Sequence, residues 1–115
     1  MEMSQLERLI DRFARSARSH DHAMETLDEK KANRQAAILA RLAASILAEG
    51  EEGELSLEAL SLSSESVVAG MAAVYLLQCN PEHALSVLRR VAREPTLIGF
   101  RAGCAIERWE KGEWG

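Results

Sequence analysis

The sequence is poor in the residues that interrupt helices and in those that cross-link small secreted domains. Its 115 residues include only two prolines, seven glycines and two cysteines, and aromatic side chains make up 4% of the chain. So few cysteines exclude a scaffold held together by disulfides, and so few glycines and prolines are atypical of a turn-rich β-fold. What remains is rich in alanine, leucine, glutamate and arginine, which favour helices.

The sequence also lacks a hydrophobic run long enough to cross a bilayer. The longest apolar stretch, Val67–Leu77, has about eleven residues, whereas a spanning helix needs about 20. The first seven residues include two acids and no apolar run, so we expect neither a secretory signal nor a transit peptide. These absences predict a cytoplasmic protein that does not enter membranes. Cys79 and Cys104 are the only two cysteines, and we expect them to be fully buried thiols rather than a disulfide.

Apolar residues recur at helical spacing in the first half of the chain. The seam of a first helix, spaced alternately four and three residues apart, comprises Leu6, Ile10, Phe13, Ala17, His20, Met24 and Leu27. Ser4 and Glu7 form a capping box at its start. A second helix is predicted from about residue 32 to residue 48, ended by Gly50, and the two should form an antiparallel hairpin.

The second half begins with a predicted loop over residues 50–54 and a short helix over 55–60. Residues 64–78 are apolar on all sides, so this helix should lie at the centre of the core, with serines of the segment 61–66 capping its start. Asn80 and Thr96 are expected to cap the last two helices, which Pro95 separates and Gly112 ends. The predicted core comprises Met71, Val74, Leu77, Leu85, Leu88, Phe100 and Cys104, with Trp109 at its edge.

Together these patterns predict an all-α protein of about six helices without a sheet, in which residues 1–115 form a single domain. An offset of thirty residues superimposes apolar positions such as Leu55 on Leu85 and Val67 on Leu97. Two helical hairpins in tandem would explain this match. We therefore expect an irregular, HEAT-like superhelix of stacked helical hairpins.

The last helix carries a resemblance to a known family. The stretch from Gly99 to Trp114, with Ala102-Gly103, Trp109 and Gly112 at fixed spacing and Asn80-Pro81 before it, resembles a small bacterial family of domains of unknown function, the one numbered two thousand and nineteen in its series. The resemblance implies a compact, HEAT-like helical protein, and it supplies no catalytic residues.

No group of residues in the sequence carries a catalytic or metal-binding motif. Neighbouring residues of a helix point about 100° apart, so His20 and His22 diverge and cannot share a metal. Pro81 interrupts the helix between Cys79 and His83. The sequence contains no nucleophile elbow, phosphate-binding loop or dinucleotide fingerprint. We therefore predict no catalytic, cofactor-binding or metal-binding residues and no cofactor, and an enzyme with an unrecognised site remains an alternative.

Three arginines line one side of the first helix, at Arg8, Arg12 and Arg15. Such a stripe is a possible contact for nucleic-acid phosphates. Interleaved acids, few aromatics and a net charge of -4 favour instead a solvated face with ion pairs within the helix. We predict no nucleic-acid partner.

The uneven distribution of charge is the least ordinary feature of the sequence. No Lys or Arg occurs between Leu42 and Leu88. The acidic segment within this stretch comprises Glu49, Glu51, Glu52, Glu54, Glu58 and Glu65. It is either a plain solvated loop or a binding patch for a basic partner, whose complementary charge would mainly raise the association rate.

These observations predict a non-catalytic protein-interaction module, a monomer or weak homodimer, whose candidate binding residues are the six glutamates of the acidic segment. An alternative is an immunity or antitoxin-like protein that neutralises a basic toxin, since a small, acidic, helical body suits that role.

Overall fold

The computed structural model describes residues 2–113, and α-helices account for all regular secondary structure in that part of the chain. The helices are α1 (Gln5–Glu25), α2 (Glu29–Leu47), α3 (Glu51–Leu60), α4 (Ser66–Leu76), α5 (Pro81–Ala92) and α6 (Leu97–Glu110). The prediction of an all-α protein of about six helices without a sheet is confirmed for residues 2–113. None of these helices has the length and hydropathy that a membrane span needs.

Side chains cap the starts of α1, α5 and α6, as the sequence predicted. The Ser4 hydroxyl accepts a hydrogen bond from the Glu7 amide, and the Glu7 carboxylate accepts one from the Ser4 amide, which completes the capping box. Asn80 and Thr96 each accept a bond from the backbone amide three residues on, at the starts of α5 and α6. Each cap satisfies an amide that lacks a partner within its helix.

Left-handed residues follow the ends of three helices. Gly50 (φ 78°) and Gly112 (φ 72°) follow α2 and α6, as predicted. At the end of α1 the left-handed residue is Leu27 (φ 58°), and the amides of Leu27 and Asp28 donate to the carbonyls of Met24 and Ala23. This Schellman turn carries the chain off the helix, so Leu27 is 89% exposed and its predicted place on the apolar seam is wrong.

The predicted loop over residues 50–54 is wrong, because α3 already begins at Glu51. The first turn of α3 contains Glu51, Glu52 and Glu54, and the Glu54 amide donates to the carbonyl of Gly50. Negative side chains are favourable at the positive end of the helix dipole. The charge that suggested a solvated loop therefore helps to start a helix.

The serines before α4 do not cap it as predicted. The N-cap residue is Glu65, whose side chain makes no capping hydrogen bond. The Ser63 hydroxyl accepts a bond from the Glu65 amide at 3.1 Å, and the Ser66 hydroxyl donates to the Glu94 carboxylate. Ser66 thus links the start of α4 to the residues that follow α5.

The helices group into two compact units, and the first extends to Leu60. In this unit α1 packs along α2, and α3 packs against both. The Ser16 hydroxyl donates to the Gln35 side-chain oxygen at 2.6 Å between α1 and α2. Its largest fully buried side chains are Phe13, Leu39, Ile46 and Leu57.

The second unit begins at Ser61 and contains α4, α5 and α6. Helix α5 packs against both α4 and α6. The prediction that α4 is enclosed is confirmed for most of its length, since residues 68–73 and Leu76 are buried, while Val74 and Tyr75 are half-buried. Helix α3 belongs to the first unit, with α1 and α2, although the repeat pattern predicted that it pairs with α4.

The predicted core is partly confirmed. Met71, Leu77 and Leu88 are buried, whereas Val74, Leu85 and Cys104 are half-buried. Phe100 is 69% exposed, so its predicted place in the core is wrong. Helix α6 buries its small residues instead, which are Gly99, Ala102 and Ala105. A face of small residues lets the helix axis come close to its neighbours, and this orientation leaves Phe100 on the outside.

Neither cysteine is in a disulfide, but the prediction that both thiols are fully buried is wrong. Cys79 is exposed and Cys104 is half-buried. Cys79 lies in the turn after α4, where its amide donates to the Leu76 carbonyl. The apolar run that precedes it suggested burial, but α4 ends at Leu76, before the run reaches this thiol.

Burial raises the pKa of the Tyr75 phenol above its ordinary value of 10.0. The folded state therefore holds the phenolic proton more tightly than the unfolded state does. The contribution of Tyr75 to the free energy of unfolding is fully present below about pH 10 and is lost as the pH rises through the folded-state pKa. We expect the free energy of unfolding to fall in alkaline solution, and Tyr75→Phe to remove part of that fall. Urea denaturation across this pH range measures it, and identical pH profiles for the two proteins would contradict it.

Candidate functional site

Most of the acidic segment lies on or beside one helix. Four of its members are on α3, one is in the turn before it, and one is the N-cap residue of α4 in the second unit. In chain order they are Glu49, Glu51, Glu52, Glu54, Glu58 and Glu65. Glu54 and Glu58 are half-buried and the other four are exposed. The structure therefore brings five of the six predicted residues together in the first unit.

A groove runs between α1 and α3 and has a volume of about 490 Å³. We call it the α1–α3 groove. Its lining includes Met3, Leu6 and Ile10 from the α1 side and Ser56, Ala59 and Leu60 from α3. Leu6, Ile10 and Leu60 are half-buried, and Met3 is 44% exposed. Leu6 and Ile10 were predicted as core seam, so this groove leaves open an apolar surface that the sequence pattern assigned to the interior.

The charged residues that line the α1–α3 groove, Glu7 and Asp11, are both acidic. Glu52 lies four residues before Ser56 and therefore on the same side of α3. Leu55, also on α3, is 55% exposed. Because Asp11 is ion-paired with Arg15, the negative charge beside the apolar floor comes mainly from Glu7 and from Glu52 of α3. This arrangement suits a ligand that is both apolar and basic.

The arginine stripe on α1 is a solvated face, as predicted. Arg8, Arg12 and Arg15 are all exposed. The Arg15 guanidinium forms an ion pair with the Asp11 carboxylate one turn earlier. Exposed ion pairs of this kind contribute at most about 1 kcal/mol, so the pair shapes surface charge more than stability.

The two histidines of the His20-Asp21-His22 triplet lie in different environments. His20 is buried among the residues of the first unit, and His22 is exposed. A hydrogen bond with Asp21, together with the charge of that carboxylate, raises the pKa of Glu25. Within residues 2–113 no three His, Cys, Asp or Glu side chains are grouped so that they could hold a metal ion.

Sequence reasoning missed a serine and histidine pair in the second unit. The Ser61 hydroxyl lies 2.8 Å from Nε2 of His83, within the distance at which a histidine can activate a nucleophile. Ser61 is fully buried, and His83 is half-buried. A substrate carbonyl has no access to a hydroxyl with no exposed surface, so this hydrogen bond ties the segment before α4 to the start of α5. The two residues are 22 positions apart, and no local motif signals the contact.

Comparison of the chain with protein-family models, with curated proteins and with solved structures found no match. The resemblance to a bacterial family of unknown function therefore stays a prediction.

Proposed function

We propose that this protein is a non-catalytic interaction module whose α1–α3 groove binds a basic, amphipathic segment of a partner protein. The observation that carries the proposal is an apolar groove whose charged lining residues are both acidic, bordered by a helix on which every charged side chain is a glutamate. The proposal is supported because the glutamates of α3 lie beside a surface that can bury apolar side chains.

The two features of the groove complement the two faces of an amphipathic helix. Apolar side chains of the partner would cover Leu6, Ile10 and Leu60, which are only half-buried in this chain. Removing apolar surface from water supplies most of the affinity in such helix-in-groove complexes. Lysines and arginines on the flanks of the partner helix would face Glu7 and Glu52, and this complementarity mainly raises the association rate.

The class of partner, the cellular location and the oligomeric state are inferred from composition and from the family resemblance. A net charge of -4 and the pairing of Asp11 with Arg15 support a protein partner rather than a nucleic acid. We further infer a cytoplasmic monomer or weak homodimer, with helices stacked in a HEAT-like manner, as in the bacterial family that the last helix resembles. The burial of Ser61 supports a binding role over the alternative of an enzyme.

A protein that neutralises a basic toxin, in the manner of an immunity protein or antitoxin, is a special case of the same proposal. The acids of α3 favour it, because negative charge accelerates the capture of a positively charged partner. In that case the basic segment belongs to the toxin, and binding in the α1–α3 groove blocks its activity.

The test uses a synthetic helical peptide in which leucines form one face and lysines the other. We expect Ala59→Phe, at an exposed position that lines the groove, to weaken peptide binding roughly tenfold by occupying the floor. Ala40→Phe is the matched control, because Ala40 is exposed on α2 and does not line the groove. Titration calorimetry measures the affinities, and equal weakening in the two variants would contradict the proposal.

Charge is tested separately with the triple variant Glu51→Gln, Glu52→Gln and Glu54→Gln. We expect slower association with the lysine peptide and a flatter salt dependence, because the attraction that steers the encounter is removed. The control neutralises three exposed glutamates of the second unit, Glu107, Glu110 and Glu113, by the same Gln substitutions. Stopped-flow kinetics at two salt concentrations measures the association rates of the two triple variants. An identical salt dependence in both would mean that the glutamates of α3 do not steer binding and form a plain solvated surface.

The triple variant of α3 is also expected to change the stability of the protein. Because these three glutamates occupy the first turn of α3, their neutralisation weakens a favourable interaction with the helix dipole. We expect a small fall in melting temperature that high salt diminishes, in place of the unchanged melting temperature that a loop would give.

A further inference from the structure

The second unit contains a cavity that the proposed function does not use. It has a volume of about 260 Å³ and lies among α4, α5 and α6. Its apolar walls include Met71 and Val74 of α4, Leu88 of α5 and Ile98 of α6. Drug-sized ligands occupy pockets of about 300–1,000 Å³, so this cavity suits a smaller molecule.

One side of the cavity carries two positive charges and a thiol. Arg101, Cys104 and Arg108 all line it, and their spacing of three and four residues places them along one face of α6. The Nη1 atom of Arg101 is buried, whereas Arg108 is exposed. Among the described residues that line this cavity, the charged ones are these two arginines.

We propose that this cavity binds a small apolar carboxylate, such as a hydrocarbon chain of about six to eight carbons that ends in a carboxyl group. The hydrocarbon tail lies against Met71, Val74 and Leu88, and the carboxylate lies between the guanidinium groups of Arg101 and Arg108. Arginine is well suited to this role, because its planar fork donates two parallel hydrogen bonds to a carboxylate. An apolar wall alone would accept any hydrocarbon, and the two arginines select for an anion.

The reactivity of the Cys104 thiol can show whether the cavity is occupied. It lies on α6 between the two arginines, where a bound carboxylate would cover it. Cys79 is exposed, does not line the cavity and belongs to the same unit, so it serves as an internal control in the same molecule. Both thiols are available for alkylation, since neither is in a disulfide.

The experiment measures the alkylation rate of each cysteine by N-ethylmaleimide with mass spectrometry, with octanoate as the probe. We expect octanoate to slow the modification of Cys104 in a saturable manner while the rate at Cys79 stays unchanged. Octylamine, which has the same tail and the opposite charge, should give no protection. Protection by both compounds, or by neither, would overturn the proposal.

The contribution of the charged wall is tested with Arg108→Gln, chosen because Arg108 is exposed and its replacement leaves the core intact. We expect the octanoate concentration that gives half-protection to rise roughly tenfold. Arg90→Gln is the matched control, since Arg90 is exposed on α5 and does not line the cavity. An unchanged half-protection concentration in Arg108→Gln, or an equal rise in Arg90→Gln, would contradict the assignment of the carboxylate to this wall.

Discussion

Replacement of Gly99 by alanine is expected to destabilise the protein by about 1–3 kcal/mol or more. A Cβ atom at this position would lie 2.0 Å from the carbonyl oxygen of Glu94 and 3.2 Å from that of Val91. These atoms belong to the backbone and cannot move aside by a side-chain rotation. Helix α6 must therefore shift away from the end of α5, and that shift would loosen the buried contacts of Ala102 and Ala105.

Gly103, one turn further along the same helix, is the matched control for Gly99. A Cβ atom there meets nothing within 4 Å. Alanine reduces the freedom of the unfolded chain without a clash, so Gly103→Ala should stabilise the protein by about 0.5–1 kcal/mol. Urea denaturation of the two variants should show opposite signs. A loss of stability in both would mean that the two glycines share a role that close packing does not explain.

Gly53 makes the equivalent test in the first unit. Its Cβ would lie 1.8 Å from the carbonyl oxygen of Ile46, which places the start of α3 directly against the end of α2. We expect Gly53→Ala to destabilise as strongly as Gly99→Ala. The sequence contains both glycines, but their role depends on the approach of a neighbouring helix, and neither spacing nor composition reveals that approach.

The features of the fold that the sequence predicted are those that depend on a few neighbouring residues. The capping box of Ser4 and Glu7, the Asn80 and Thr96 caps and the left-handed Gly112 each involve groups within four positions of one another. Such interactions form in a single turn of chain, so the residue types at fixed spacing are sufficient to identify them.

The errors concern which face of a helix is covered, and this is decided by tertiary packing. Phe100 is more apolar than Ala102, yet the small residue is buried because α6 approaches its neighbours closely. Leu6 and Ile10 fit the apolar periodicity of α1 and still line an open groove. Periodicity identifies apolar positions, but it does not show whether another helix covers them.

The same distinction applies to the candidate site. The six glutamates were identified from the distribution of charge along the sequence, and five of them lie on or next to α3. The α1–α3 groove beside them could not be predicted, because it is formed by residues near position 6 and near position 59 that local patterns do not connect. The contact of Ser61 with His83 was missed for the same reason.

Truncation of Leu77 to alanine should cost about 2–5 kcal/mol, much of the stability of a small domain. The side chain is fully buried at the end of α4, so its removal leaves a cavity that the surrounding helices can fill only in part. Leu62→Ala is the control, because Leu62 is 62% exposed and its truncation removes little buried surface. We expect denaturant midpoints to fall for Leu77→Ala and to change little for Leu62→Ala.

The Leu77 variant also tests whether residues 1–115 unfold as a single domain, because every tryptophan and tyrosine of the chain lies after Ser61. Fluorescence therefore reports on the second unit, whereas circular dichroism reports on the helices of both. If the chain is one cooperative domain, the two signals give coincident transitions, and Leu77→Ala shifts them by the same amount. If Leu77→Ala instead loses its fluorescence signal at lower urea while half of the helical signal persists, the two units unfold independently. In that case the substitution weakens only the unit that contains Leu77.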